Sequence, residues 1–367
     1  MIPMVDLKRQ YEEIKEEILR DINEVFESSR YILGPKVKAF EKSLAEFHNV
    51  SDAVGVASGT DALNLALKAI GIEREDEVIT TPFTFFATVE AILYQGAKPV
   101  FVDVEPETFN LDPEKIEQAI TKKTKALVVV HLFGHPANMP EIMAIAKRYG
   151  LRVIEDCAQA FGASINGKLV GTFGDIGCFS FYPSKNLGAC GDGGAVITAD
   201  SLLAERIRML RNHGSRGSYI HETVGLNSRL DEIQAAVLNI KLKRIKRYNE
   251  LRRKKAAYYT DQLSGIVKCP VENKGFYHVY HQYTICSPYR DKIKDYLGRN
   301  EISSVVYYPL SLHLQKALSF LGYKEGNFPV SERLSREVLS IPIFPELSEA
   351  EQEIICVKIK EALKDGR

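Results

Sequence analysis

Between residues 53 and 198, seven short apolar runs alternate with segments of helical spacing: AVGVA at 53, EVITT at 77, PVFVD at 99, ALVVV at 126, RVIED at 152, CFSF at 178 and AVIT at 195. No other feature constrains the fold as tightly. Runs that are apolar throughout need cover on both faces, and strands separated by helical crossovers form a mostly parallel sheet with helices on each side. The expected fold class is therefore α/β, with a seven-stranded, mostly parallel sheet. Ligands of such sheets gather at the carboxyl ends of the strands, so the residues that follow each run are where a site is to be sought.

The flanking segments read differently. From Asp6 to Ser29, Leu7, Tyr11, Ile14, Ile18, Ile22 and Phe26 recur every three or four residues, which predicts an amphipathic helix with Asp6 as its N-cap. After about residue 240 a basic helical stretch, KLKRIKRYNELRRKKAAYY, leads to strand-like QYTICS and SSVVYYP and to a final helix from Ser348. The chain is thus expected to divide into an N-terminal segment with a large domain (1–242) and a smaller α+β domain (243–367). A length of 367 residues is ample for two cores. The basic stretch reads as a solvated helix face.

Forty-eight basic residues balance forty-eight acidic ones, so no global field recruits nucleic acid or an anionic membrane. Six cysteines without a CxxC pair argue against a disulfide framework and suit a reducing cytoplasm. The first ten residues hold no apolar signal core, and ALVVV with the following HLF is too short to span a bilayer.

The chemistry concentrates in SFYPSKNLGACGDGGAV, where Lys185 follows a strand and Ser180 in glycine-rich, mostly uncharged surroundings. A lysine amine of lowered pKa is a nucleophile toward aldehydes, and the aldehyde most often stored on lysine is pyridoxal phosphate. A turn lysine on the surface is the bland alternative. Such a cofactor needs a carboxylate at its ring nitrogen, a phosphate cradle, a stacking aromatic and a partner for its phenolic oxygen. Asp156, ending RVIED, is a candidate for the first, although strand-end acids often cap helices. Gly59 and Thr60, in ASGTDALNLALKAIG, open a helix whose free amides and dipole would face an anion; Ser58, Thr60 and Asp61 could equally be mere caps. Phe85 in TTPFTFFATVEA is the candidate stacking ring, and Gln159 the candidate for the phenolic oxygen. GDGGA at 191 lacks the GxGxxG spacing of a dinucleotide fingerprint and runs into a strand. No HExxH occurs, and His131 and His135 flank an LFG turn as loop or lining residues, so no metal site is expected.

Taken together, YILGPKV, ASGTDAL, DEVITTPFTFFAT, VIEDCAQAFGA, SFYPSKNLGACGDGGA, GLNSRLDEIQAA and YYPLSLHLQ resemble, in order and over nearly the whole chain, the DegT/DnrJ/EryC1/StrS family of sugar aminotransferases, within the aspartate-aminotransferase fold type I superfamily. The resemblance implies that Lys185 holds pyridoxal 5'-phosphate as a Schiff base, Asp156 pairs with the ring nitrogen, Gln159 meets the phenolic oxygen and Phe85 stacks. It implies that Gly59, Thr60 and Ser180 bind the phosphate together with Asn227 of a neighbouring subunit, and so a homodimer with shared sites. Arg229 is a carboxylate candidate, with a structural salt bridge as its alternative. Tyr31, Tyr182, Tyr307, Tyr308 and His313 are the expected substrate pocket. The implied reaction moves the amino group of L-glutamate to a nucleotide-linked keto-sugar, with the C3 ketone favoured over C4. Many relatives read HYP where this chain has Tyr307, Tyr308 and Pro309, a departure that bears on sugar recognition. Two rivals follow from the same family: a sugar dehydratase, whose members carry histidine at the position of Lys185, and a regulatory protein that keeps the fold without the reaction.

Overall fold

A computed structural model describes residues 1–217 and 219–364. The seven apolar runs form one sheet: β1 (Asp52–Val56), β2 (Glu77–Thr80), β3 (Lys98–Phe101), β4 (Thr124–Val130), β5 (Arg152–Asp156), β6 (Ile176–Ser180) and β7 (Gly194–Thr198). Their order is β1-β7-β6-β5-β4-β2-β3. Pairing is parallel from β3 to β6, whereas β7 is antiparallel to both β6 and β1. Reversal of β7 has a consequence for the site: its amino end lies at the edge where the other six strands have their carboxyl ends.

Alternate residues of a strand face opposite ways, and both faces are covered. Val54, Val128, Ile154 and Val196 point toward α3 (Gly59–Ala69), where Leu63 and Leu67 meet them. Ala53, Phe179 and Ile197 point the other way, onto Phe40 and Leu44 of α2 (Pro35–His48) and Leu238 of α7 (Glu232–Leu242). Between α3 and α7 lie α4 (Ala87–Tyr94), α5 (Met139–Tyr149) and α6 (Ser201–Leu210).

The N-terminal helix α1 (Leu7–Ser28) begins at Asp6, whose Oδ1 accepts from the N–H groups of Lys8 and Arg9 at 3.1 and 3.2 Å. Ile14 and Ile18 pack on Val237 and Ile240 of α7. The basic stretch is two helices, α7 and α8 (Ile245–Leu263), broken at residues 243–244. On α8, Arg247 pairs with Glu13 of α1 and Arg253 with Glu272, while Arg244, just before it, pairs with Glu17 of α1.

Tyr259 of α8 enters a C-terminal core with Ile285 of β8 (Tyr283–Cys286), Leu297 of α9 (Arg290–Arg299), Ile341 of β9 (Val338–Ile341), and Ile355 and Ile359 of α11 (Glu349–Lys364); α10 (Pro329–Glu337) precedes β9. QYTICS is β8, antiparallel to β9. SSVVYYP, expected as a strand, corrects to a single bridge between Val305 and Ser340. Pro309 has no N–H to extend a ladder, and the two preceding tyrosines turn into the cavity described below. Among the described residues no helix is long and apolar enough to cross a membrane.

Candidate active site

The carboxyl edge of the sheet opens on a cavity of about 670 Å³, a size that suits a small-molecule ligand. Ten of the fourteen residues singled out from the sequence line it: Gly59, Thr60, Phe85, Asp156, Gln159, Ser180, Tyr182, Lys185, Tyr307 and Tyr308. They arrive from the ends of β1, β2, β5 and β6 and from the loop before α10. Asp192 and Gly193 join them because β7 starts at this edge.

Lys185 follows β6, and its backbone N–H donates to Tyr182 at 2.8 Å. Burial pushes its ammonium down to about 8, against the pull of the Asp156 carboxylate. A lysine in that range is partly neutral near physiological pH and therefore nucleophilic and basic. Asp156 ends β5 and is buried. Its Oδ2 accepts from the Thr88 hydroxyl at 2.9 Å, and its Oδ1 from the Ala158 N–H at 3.2 Å. Burial raises its pKa, opposed by Thr88, Ala158 and the Lys185 charge.

The cradle is built from contacts that exclude side chains. A Cβ on Gly59 would stand 2.6 Å from Cβ of Ser180, and one on Gly194 would stand 2.3 Å from the Ser58 carbonyl oxygen. Only glycine allows the first turn of α3 to lie against the ends of β6 and β7. Ser58 does cap α3, its Oγ accepting from the Asp61 N–H at 3.1 Å, and Asp61 is held by the Ser228 hydroxyl at 2.7 Å. Gly59 and Thr60 remain on the cavity with the first amides of α3, which have no intrahelical acceptor. The donors, the dipole and the absence of side chains fit a phosphate.

Phe85 is 59% exposed, a ring left uncovered on the cavity wall beside Tyr308 at a centroid separation of 6.3 Å. Gln159 Oε1 accepts from the Phe133 N–H at 2.9 Å, which fixes the amide so that Nε2 donates to the Tyr308 hydroxyl at 3.0 Å. Burial raises the Tyr308 pKa. These groups fit the carboxylate, phosphate, stacking and phenolic-oxygen requirements of pyridoxal phosphate.

Four singled-out residues lie outside the cavity lining. Asn227 is exposed, bridged to Asn212. Arg229 donates to Asn212 Oδ1 at 3.1 Å and pairs with no carboxylate among the described residues. Tyr31 is exposed in the α1–α2 loop, where its carbonyl accepts from the Glu232 N–H. His313 is 2% exposed, with Nε2 3.0 Å from Glu332 Oε1 and its ring against Phe328. In this chain Glu332 and the Phe328 ring hold it inward, beside the turn before α10 and away from the cavity lining.

The lining also contains residues that sequence reasoning passed over. Thr84 follows β2 in the same segment as Phe85, and position at a strand end was the available signal. His281 and Gln282 come from the segment before β8, which carries no local signature. Burial, then the charges of Lys185 and Arg252, hold the His281 imidazole well below its ordinary value. His131 and His135 are buried and do not line the cavity. His131, Glu155 and Cys157 lie close enough to hold a metal ion, but the lone pairs of His131 and Glu155 are committed. His131 Nδ1 accepts from the Ala137 N–H and Nε2 contacts Glu155, while Glu155 also accepts from the N–H groups of Gly171, Phe173 and Gly174.

The sequence profile of the DegT/DnrJ/EryC1/StrS aminotransferase family matches residues 12–360. A pleiotropic regulatory protein of Geobacillus stearothermophilus is 51% identical over 364 residues, 98% of each chain. A UDP-N-acetyl-3-dehydro-α-D-glucosamine 3-aminotransferase of Acidithiobacillus ferrooxidans is 49% identical over 363 residues, 99% of this chain and 98% of its own. The crystal structure of Streptomyces venezuelae DesV in complex with a ketimine intermediate superposes with a TM-score of 0.96 at 44% identity, covering 98% of both chains. With this match along nearly its whole length and the α/β sheet that carries the cavity, the chain belongs to the DegT/DnrJ/EryC1/StrS family of pyridoxal-phosphate-dependent sugar aminotransferases.

Proposed function

We propose that this enzyme transfers the amino group of L-glutamate to the C3 ketone of a nucleotide-linked sugar, with Lys185 as covalent anchor of the cofactor and as the proton-transfer base. The observation that carries the reading is the meeting of Lys185 and Asp156 in one cavity with an anion cradle. Preference for C3 over C4 draws on the Acidithiobacillus relative, whose name specifies a 3-dehydro sugar.

Pyridoxal phosphate, when bound, supplies an aldehyde that condenses with amines and a cationic ring that accepts electron density. Gly59, Thr60 and Ser180 bind its phosphate, Phe85 covers the ring face and Gln159 donates to the phenolic oxygen. Asp156 keeps a proton on the ring nitrogen. Once the donor amine has displaced it, Lys185 Nζ, its pKa lowered by burial, would carry the proton from the donor Cα to the carbon that held the aldehyde, so that water releases 2-oxoglutarate and the amino group stays behind. The same amine then acts in the opposite sense on the sugar, returning the proton to the carbon that held the ketone. Tyr182, Tyr307 and Tyr308 form the sugar side of the cavity.

Asn227 and Arg229 lie outside their own chain's cavity, and the exposed Tyr31 and Ile32 pair through their backbones with Glu232 and Asp231 at the start of α7. This arrangement supports a homodimer in which Asn227 reaches the partner's phosphate, with Arg229 and Tyr31 facing the partner's substrate. The six cysteines are free, in keeping with a reducing cytoplasm.

The test is mass spectrometry of UDP- and dTDP-linked 3-keto and 4-keto sugars incubated with glutamate. A 3-keto sugar should exchange its carbonyl oxygen for an amine; conversion of a 4-keto sugar alone would overturn the regiochemistry. A deoxy sugar with released ammonia would instead identify a dehydratase. Lys185→Ala should abolish turnover and the visible absorbance of the bound cofactor; a regulatory protein would keep its ligand response in that variant.

A further inference from the structure

Asp156 is held by more than its strand. Thr88, in the first turn of α4, donates its hydroxyl to Asp156 Oδ2 at 2.9 Å, and Thr84 Oγ1 lies 3.1 Å from Thr88 Oγ1. A hydroxyl has one proton. Because that of Thr88 is committed to the carboxylate, the Thr84–Thr88 contact runs in one direction: Thr84 donates and Thr88 accepts. The result is a directed chain from the cavity lining to Asp156, with both threonines 1% exposed. A side chain this buried without a partner would cost free energy, and here every proton of the chain is used.

We propose that Thr88, backed by Thr84, is a positioning residue that fixes the Asp156 carboxylate toward the ring nitrogen of pyridoxal phosphate and keeps it ionised. The inference rests on the assignment of Asp156 to that nitrogen. Oδ1 is pinned by the Ala158 N–H and Oδ2 by Thr88, so the carboxylate plane is fixed at both oxygens and each retains a lone pair for a cationic N–H. Burial favours the neutral acid, and the Thr88 hydroxyl is the largest influence opposing it, ahead of Ala158, Lys185 and His131. The other titratable groups that face Asp156 are Cys157, Cys178 and Tyr308, which are neutral in this setting and stabilise no charge on it. Removing the Thr88 hydroxyl therefore moves the Asp156 pKa further up, and the carboxylate is lost at a higher pH as the solution is acidified.

The test compares Thr88→Val, Thr88→Ser, Thr84→Val and Lys185→Ala as holoenzymes, with pyridoxal phosphate titrated into each apo-protein by absorbance. Thr88→Val should lower kcat about ten- to hundredfold, the range for losing a hydrogen bond to a charged group. KM for the nucleotide sugar should stay unchanged, the acid limb of the kcat–pH profile should move to higher pH, and cofactor affinity should weaken. Thr88→Ser should restore all three. Thr84→Val should show the same changes to a smaller degree, and it carries the test if Thr88→Val does not fold. An unmoved acid limb in the folded valine variants, or a serine variant as impaired as valine, overturns the proposal. Retained turnover in Lys185→Ala would instead overturn the assignment of the site itself, which separates the two failures.

Discussion

Lys185 and Asp156 owe their chemistry to burial acting in opposite senses on a cation and an anion. Desolvation disfavours whichever form is charged, so it lowers the lysine and raises the aspartate; each charge then partly restores its partner. The pH dependence follows from the sign. Below its pKa Lys185 is an unreactive ammonium, and above it a free amine, so capture of pyridoxal phosphate by the apo-protein should accelerate with rising pH around a midpoint near 8, not near the ordinary lysine value of about 10.4. Stopped-flow absorbance over that range checks it. A midpoint at the ordinary value would mean that the amine is solvated.

At the scale of elements, the site depends on a turn that never touches it. The loop from 171 to 174 folds over the end of β5 because Glu155, fully buried, accepts three backbone N–H groups at 2.7–2.8 Å and contacts His131 at 3.0 Å. Each carboxylate oxygen receives two donors. Glu155→Gln can satisfy one oxygen's pair, but sets an NH₂ against the Gly171 N–H and the His131 ring. His131 cannot release its Nε2 proton to Nδ1 without losing the Ala137 N–H. Each buried donor left without an acceptor costs about 1–3 kcal/mol, so the substitution should be read as a lower urea midpoint. The neighbouring Asp156 should also hold cofactor less well. We propose that the large and small domains part near the 243–244 turn, since Leu238 of α7 packs beneath the large sheet and Tyr259 of α8 in the C-terminal core, with Ile245 at the start of α8 still against the large sheet.

For the whole molecule, the consequence of residues standing outside their own cavity is that one chain should not suffice. In a homodimer with shared sites, Lys185→Ala and Asn227→Ala protomers are each defective, yet a mixed dimer rebuilds one intact site from the unaltered Lys185 of one chain and Asn227 of the other. Random reassociation of equal amounts should recover roughly a quarter of wild-type activity, because half the dimers are mixed and each has one good site of two. No recovery after exchange, verified by mass, would rule out sharing. The equal numbers of acidic and basic residues leave association to local surfaces and not to a global field.

The seven strands, α1 with its Asp6 cap, and the cluster of Lys185, Asp156, Gly59 and Thr60 at strand ends were legible in the amino-acid order. Apolar runs and helical periodicity are local properties, and a parallel sheet brings its carboxyl ends to one edge whatever the details. Local order could not decide where a side chain from a distant segment would point. SSVVYYP has a strand's composition but pairs only at Val305 and turns Tyr307 and Tyr308 onto the cavity, and His313 is drawn inward by Glu332, nineteen positions away. The hydroxyl chain from Thr84 through Thr88 to Asp156 joins residues 68 positions apart, and His281 reaches the lining from the C-terminal part of the chain. Those placements depend on which elements pack together and which buried polar groups find partners there, and both are settled only when the tertiary structure closes.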